Sequence, residues 1–371
     1  MDGNWYRINN LREFDTPLMA VYPDRIVNNI ELALAMLNGN AARLRPHIKT
    51  HKTAEILRLF LNKGISKIKC ATIAEAELAA QNGITDVLLA YQPVGLKINR
   101  FIALVSKYPE VHFSCITDSL VAAQHIAEQA LIASIVISVY IDLNTGMNRT
   151  GYPFKEDLPA FYRQISVLAG LNLLGLHIYD GHLHDDDLQL RFAPAAMALA
   201  KVLADANKIV LAGLTQPVII AGGSNTFLFY AERNEVECSP GTFVFWDMSY
   251  SIKLPELKFK PAAVLVTTVI SKPAAGILCL DLGYKSVSAE NPVGQRVLFV
   301  WNPDLQVVAH SEEHLTVKHT GSKNYEIGER IYGLPHHVCP TVALFDELST
   351  IENNEISGKW LVQARRRVIC L

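Results

Sequence analysis

The sequence has no long apolar run. Its most hydrophobic stretch, Leu131 to Leu143, is interrupted by Ser134, Ser138 and Asp142, and it falls short of the roughly 20 apolar residues a membrane-crossing helix requires. The opening Met1-Asp2-Gly3-Asn4-Trp5 has neither the basic start nor the apolar centre of a secretory signal, so none is expected. Excess charge is absent too. With 34 Lys and Arg against 36 Asp and Glu, the formal net charge is −2 and the pI about 6.6, which predicts no electrostatic attraction to nucleic acid or to an anionic membrane. Cysteine is sparse: Cys70, Cys115, Cys238, Cys279, Cys339 and Cys370 lie scattered, with no close pair. That spacing excludes a disulfide framework and predicts a reducing, cytoplasmic setting in which most thiols are small core residues. There is no internal repeat and no low-complexity segment.

What is present is enough apolar material, 50 % of 371 residues, to build two domains. From Leu18 to about Val244, short apolar runs alternate with longer amphipathic stretches. The strand-like runs are Leu18–Val21, Leu44–Lys49, Lys67–Ala71, Val87–Ala90, His112–Ile116, Ile135–Ile141, Leu173–Ile178, Val218–Ala221 and Thr242–Phe245. Apolar strands alternating with helices predict a parallel sheet covered by helices, and about eight repeats favour a closed barrel. An open doubly wound sheet would give a similar pattern. Beyond Tyr250 the intervening helices stop. Val264–Ile270, Gly276–Asp281, Gln295–Trp301, Glu313–His319, Arg330–Gly333 and Trp360–Ile369 are β-type runs separated by turns such as Asn302-Pro303-Asp304. The expected fold class is therefore α/β: a TIM-like (β/α)8 barrel over 17–248, with a second, mainly antiparallel β domain from 1–16 and 249–371.

One run stands out chemically. Taken as a strand, Leu44–His51 places Arg45, His47, Lys49 and His51 on one face and Leu44, Pro46, Ile48 and Thr50 on the other. Clustered cations call for an anion among them and favour a neutral amine, the nucleophile of Schiff-base formation. A helix-type segment follows, which sets Lys49 near the C-terminal mouth of a barrel, where such folds build active sites. On its own the octapeptide also reads as a solvated basic edge strand. Further on, the strand-like Val218–Ala221 runs into Gly222-Gly223-Ser224-Asn225. Paired glycines let backbone amides approach an anion, and Ser224 or Asn225 could cap the next helix; an ordinary βα turn looks the same.

These segments resemble the D-threonine aldolase/D-serine dehydratase family, whose members share the alanine-racemase-like, fold-type III architecture. The run Arg45-Pro46-His47-Ile48-Lys49-Thr50-His51-Lys52 is similar to its cofactor-lysine motif, which implies that Lys49, and not Lys52, carries pyridoxal 5'-phosphate as a Schiff base. The resemblance also implies that Gly222, Gly223, Ser224 and Asn225 hold the cofactor phosphate, and that His47 belongs to the same site. Asp142 to Gly151 is similar to the family's Asp…Gly-x-x-Arg-x-Gly strand end, so Arg149, otherwise a surface ion-pair partner, would face cofactor or substrate. Gly175 to His182 resembles the Tyr-Asp-Gly-His segment lining that pocket, which assigns Tyr179 to it; His177 shares its parity, and core packing is the competing role for the tyrosine. One departure is informative. Alanine racemases carry Arg-Pro-Gly where this chain has Ser239-Pro240-Gly241, which argues against racemisation.

In the second domain, Pro335-His336-His337-Val338-Cys339-Pro340 offers a His-x-Cys pair. On an extended segment His337 and Cys339 share a face, so imidazole and thiolate converge on one ion. Such donors favour zinc, with manganese as the alternative, and two protein ligands leave positions open for water or substrate. Isolated His-x-Cys pairs also occur without metal. The resemblance supports the ligand role, since the family's C-terminal metal pair has histidine followed two residues later by cysteine or aspartate. Ser311-Glu312-Glu313-His314 resembles another recurrent segment there, and His314 receives no role.

The resemblance implies a lyase acting on β-hydroxy D-amino acids, by dehydration and deamination or by aldol cleavage, with a small amino-acid substrate and a homodimeric assembly. Cys339 tilts the expectation toward zinc-dependent dehydration. The competing classes are an amino-acid racemase, a non-catalytic cofactor carrier, for which the long β domain has no use, and a metal-only hydrolase, which leaves the basic run without a purpose.

Overall fold

The computed structural model describes residues 3–370. Met1, Asp2 and Leu371, the ends of the expected second domain, lie outside the described residues. The chain forms two compact units. One contains Ala33–Lys49, Ile56–Gly241 and the tail from Arg366; the other contains the chain up to Leu32, Thr50–Glu55 and Thr242–Arg365.

In the first unit, strands Lys67–Cys70, Asp86–Leu89, His112–Thr117, Ile137–Asn144, Leu171–Ile178, Val218–Ala221 and Val236–Cys238 pair in this order, all parallel. The two edges are joined by an extended segment. Leu44 bridges Cys238 and His47 bridges Lys69; the amides of Arg45 and His47 donate to the carbonyls of Cys238 and Pro240, and that of Lys69 to Pro46, each at 2.9 Å. The sheet thus closes into an eight-stranded barrel, as the alternation predicts. Helices such as Ala54–Asn62, Leu96–Lys107, Leu120–Ile132 and Leu188–Leu211 fill the connections.

Three local expectations are corrected. The basic run is extended only as far as His47, and Ile48–Thr50 is a turn of 3-10 helix in which the Lys49 amide donates to His47 Nδ1 at 3.2 Å. Strict strand parity therefore ends before Lys49, in a segment where Pro46 has no amide to extend a ladder. Thr242–Val244 is also a 3-10 turn, and the closing strand is the earlier Val236–Cys238. Leu18–Val21 pairs antiparallel with Ala263–Ala274 and parallel with Glu347–Glu352, so it belongs to the second unit's sheet.

Inside the barrel below its mouth, Arg45 is buried between Asp86, at 2.6 and 3.1 Å, and Glu237, at 2.8 Å. Glu237 also pairs with Lys67. These charges are mutually satisfied.

The second unit is a nine-stranded sheet. Its main path runs Leu305–His310, Leu315–His319, Ile277–Leu280, Ala263–Ala274, Leu18–Val21, Glu347–Glu352, Glu355–Leu361, and Arg330–Pro335 and Val297–Leu298 branch from it. Every pairing except the one between Leu18–Val21 and Glu347–Glu352 is antiparallel. The expected run Trp360–Ile369 is displaced: the strand is Glu355–Leu361, followed by a 3-10 turn at Gln363–Arg365. Leu18, Ala20, Val264, Val266, Leu334 and Ile351 form the core, with Trp5 and Trp301 packed against it.

Candidate active site

Parallel barrel strands deliver side chains to their C-terminal ends. Here His47, Lys49, Lys69, Asp142, Arg149, His177 and Tyr179 line one cavity. Asp142 and His177 are register partners on adjacent strands, and the imidazole Nδ1–H donates to Asp142 Oδ1 at 2.7 Å. The other carboxylate oxygen accepts from Thr150 at 2.9 Å. Burial holds the His177 pKa below its ordinary value despite the Asp142 hydrogen bond. The neutral ring therefore presents Nε2, as an acceptor, to Lys69 Nζ at 3.5 Å. Burial first, and then the nearby charge of Lys49, bring the Lys69 pKa down to about 7.

Tyr179 is the shared platform. Lys49 Nζ, Lys69 Nζ and the Arg149 guanidinium stand 5.8, 5.6 and 5.0 Å from its ring centroid, within reach of its negative π face. Three cations and two histidines therefore meet one carboxylate in this cavity. All of them except Lys69 lie in the motifs that the sequence displays. Lys52, the alternative lysine, is not among the lining residues and has a left-handed backbone (φ 57°).

The glycine turn adjoins the same tyrosine. Gly222 has φ +74°, and a Cβ there would lie 2.6 Å from the Tyr230 ring; at Gly223 it would lie 3.0 Å from the Tyr179 ring. Both positions require the missing side chain. The amides of Gly223, Ser224 and Asn225 donate to no backbone carbonyl among the described residues. Asn225 Nδ2 donates to the Leu183 carbonyl at 2.9 Å, while its buried Oδ1 has no partner among the described residues. Neither Ser224 nor Asn225 caps a helix. The following helix is only Phe227–Ala231, its N-cap is Thr226, and the Thr226 hydroxyl donates to Asp180 at 2.8 Å. An unpaired row of amides beside a lysine, with a tyrosine wall and surplus positive charge, fits pyridoxal phosphate: the amides for its phosphate, Lys49 for its aldehyde.

In the second unit, strand Arg330–Pro335 ends and a short helix, Val338–Val342, begins with His337 as its N-cap. The pair thus meets at a helix start and not on an extended strand. His337 hydrogen-bonds Cys339, and its Nδ1 bonds Glu290 Oε1 at 2.6 Å. Burial opposes charge on this imidazole, but the hydrogen bond and charge of Cys339, together with Asp247 and Glu290, push its pKa up to about 9. Cys339 Sγ lies 3.2 Å from the Thr50 hydroxyl and 3.5 Å from that of Thr242. Buried Asp247 fixes the turn by accepting from the Tyr250 and Val338 amides, both at 3.0 Å. Among the described residues no third His, Cys, Asp or Glu completes a ligand group. The pair fits an open metal position, with Glu290 orienting the imidazole as carboxylates do behind metal-bound histidines. His336 and His337 line a cavity of about 470 Å³ with Asp247, Tyr250 and Lys253, while His314 is exposed. Ser239 is buried and donates to the Arg45 carbonyl at 2.8 Å.

Comparison with known proteins accords with this architecture. Residues 21–248 match the family described as "Alanine racemase, N-terminal domain". The chain belongs to that family. Residues 262–351 match the family described as "Putative serine dehydratase domain". The chain is 26 % identical over 360 residues to a D-threonine aldolase of Arthrobacter sp, covering 96 % of this chain and 94 % of that protein. It is equally identical, 26 % over 360 residues, to the D-threo-3-hydroxyaspartate dehydratase of Delftia sp. (strain HT23), covering 91 % and 94 %. The crystal structure of D-threonine aldolase from Filomicrobium marinum superposes with a TM-score of 0.87 at 24 % identity, across 98 % of this chain and 99 % of that one.

Proposed function

We propose that the protein is a pyridoxal-phosphate- and divalent-metal-dependent lyase of β-hydroxy D-amino acids. The observation that carries this reading is the cavity in which Lys49, Lys69 and Arg149 surround Tyr179 next to the open amides of Gly223, Ser224 and Asn225. Bound pyridoxal phosphate supplies an electron sink for charge developed at Cα. Lys49 would hold its aldehyde, and as a free amine its Nζ would take the Cα proton in dehydration. Arg149 and His47 line the cavity where they would meet the anionic groups of cofactor and substrate, and Tyr179 forms one wall. His337 and Cys339 would hold the metal, zinc by donor type and manganese otherwise, which would supply Lewis acidity for a β-hydroxyl.

The aldolase and dehydratase outcomes differ in which bond breaks, and Cys339 favours dehydration because zinc stabilises departing hydroxide. The six cysteines without disulfides support a reducing, cytoplasmic setting, and family likeness supports a homodimer. No helix among the described residues is long and apolar enough to cross a membrane.

The test is incubation with D-threonine and D-serine, with and without zinc or manganese, followed by product analysis. 2-Oxobutyrate or pyruvate with ammonia is the expected result. Acetaldehyde with glycine makes the protein an aldolase. L-isomers, or no turnover of any hydroxy amino acid while cofactor stays bound, overturn the proposal in favour of a racemase or a carrier.

A further inference from the structure

The strand Lys67–Cys70 brings a second amine into the cofactor cavity, and the lyase reading counts its charge but gives it no role of its own. Lys69 is 2 % exposed, so its ammonium is withdrawn from water. Its polar contact is His177 Nε2 at 3.5 Å, and Tyr179 adds only a ring face at 5.6 Å. Neither is an anion. The carboxylates whose charge acts on it, Asp142 and Asp180, are not paired with it, although Asp180 Oδ2 is buried without a hydrogen-bond partner among the described residues. Asp142 is held by His177 and Thr150, and Asp180 by Thr226. The other charges around it, Lys49, Arg149 and Arg45, are positive. No Asp or Glu pairs with Lys69 among the described residues.

The same barrel treats its other inward basic groups differently. Arg45 has Asp86 and Glu237, and Lys67 has Glu237. Burying an ammonium without a counter-ion is costly, and folds rarely do so without a partner for it. A buried cation that lines a cavity, is steadied by a neutral imidazole and lacks an anion marks the place where an anion arrives with a ligand.

We propose that Lys69 is an oxyanion contact of the bound ligand, pairing with the ring oxygen of pyridoxal phosphate or with a carboxylate of the amino acid. Asp142 acts through His177 as the positioning group, fixing the tautomer whose lone pair holds the lysine. The inference rests on the cofactor reading above. It adds a recognition role to a residue outside the cofactor-lysine motif.

The experiment compares Lys69→Met and Lys69→Gln with wild-type holoenzyme. Cofactor affinity and the absorption spectrum against pH are measured without substrate, and D-serine is then titrated spectrally. If the ring oxygen is the partner, Lys69→Met weakens cofactor binding by about 10-fold or more and moves the pH dependence of the chromophore. If a carboxylate is the partner, cofactor affinity and spectrum hold while D-serine affinity falls by about 10-fold or more. In either case Lys69→Gln, which keeps a donor without the charge, loses less. Both affinities staying within about two-fold of wild type, in a variant that melts cooperatively, overturns the inference alone. Borohydride reduction that fixes the cofactor on Lys69 overturns it together with the anchoring role of Lys49, since an amine in covalent linkage is not an ion-pair donor. A wild-type protein that forms no chromophore overturns the cofactor reading and this inference with it.

Discussion

The barrel cavity and the His337–Cys339 pair are built in opposite ways. The cavity gathers Lys49, Lys69, Asp142, Arg149, His177 and Tyr179 from segments spread over more than a hundred residues of chain, and its character comes from their summed charge. The pair comes from one turn, two residues apart, steadied by Glu290 and by Asp247 beneath the helix start. A distributed site tolerates the loss of one contributor unless that residue forms the covalent link. A site of two residues has no such reserve. Variants that separate anchoring, coordination and charge therefore test whether the two regions contribute as differently as they are constructed.

The largest effect belongs to the anchor. Lys49→Ala is expected to lose the yellow imine chromophore and all measurable turnover, while His337→Ala keeps the chromophore. An absorption spectrum of each purified variant decides it. If the chromophore survives in Lys49→Ala, it has moved to another amine, and Lys69, which shares the Tyr179 platform, is the rival the geometry supplies. Next comes coordination. Cys339→Ala is expected to lower turnover by about 100-fold or more, the scale of several kcal/mol of Lewis-acid stabilisation, and to lower bound metal measured by elemental analysis. Unchanged metal content would remove Cys339 from the site.

How far each region was legible follows from the same contrast. Lys49 stood out because cations in an otherwise apolar β-type run are anomalous. Its local geometry was not legible, since parity assumes a strand and the chain turns into a 3-10 helix at Ile48. Lys69 is hidden in the sequence because Lys67-Ile68-Lys69 alternates like a strand with a solvated face; only barrel closure shows that this face is the interior. Leu18–Val21 reads as a barrel strand because a strand followed by a helix says nothing about which sheet it joins. Val236–Cys238 is not legible as a strand, because three residues with a central glutamate carry no apolar run. His337 and Cys339 were legible as neighbours, and Pro340 held the missed clue: proline belongs in a first helical turn, which is where it sits.

The next prediction turns on charge inside the cavity. The Lys69 pKa, about 7 in the fold, lies below the unfolded value of about 10.4. Between those values the unfolded chain binds the proton and the folded chain does not, so stability rises with pH across that window. Below about pH 7 the full penalty of the buried charge is present. Cofactor-free Lys69→Met should therefore be more stable than cofactor-free wild type at pH 6, by an amount on the order of a few kcal/mol, and the advantage should fade toward pH 10. Urea melts at both pH values measure it, and a constant difference would place the lysine's cost outside electrostatics.

The smallest expected effect probes the His337–Cys339 pair through a residue outside it. Glu290 is half-exposed, and its carboxylate accepts from His337 Nδ1 at 2.6 Å. That bond fixes which imidazole nitrogen is left to bind and raises its basicity. Glu290→Gln keeps an acceptor oxygen but removes the charge, so the ring should hold its orientation and lose donor strength. Metal affinity should fall by about 10-fold, the lower end for such outer partners, and added zinc should restore turnover. The chromophore on Lys49 should not change, because nothing in the barrel cavity depends on that carboxylate. A variant with wild-type zinc affinity would show that the two ligands set their own geometry, and that the helix start held by Asp247 is sufficient to build the pair.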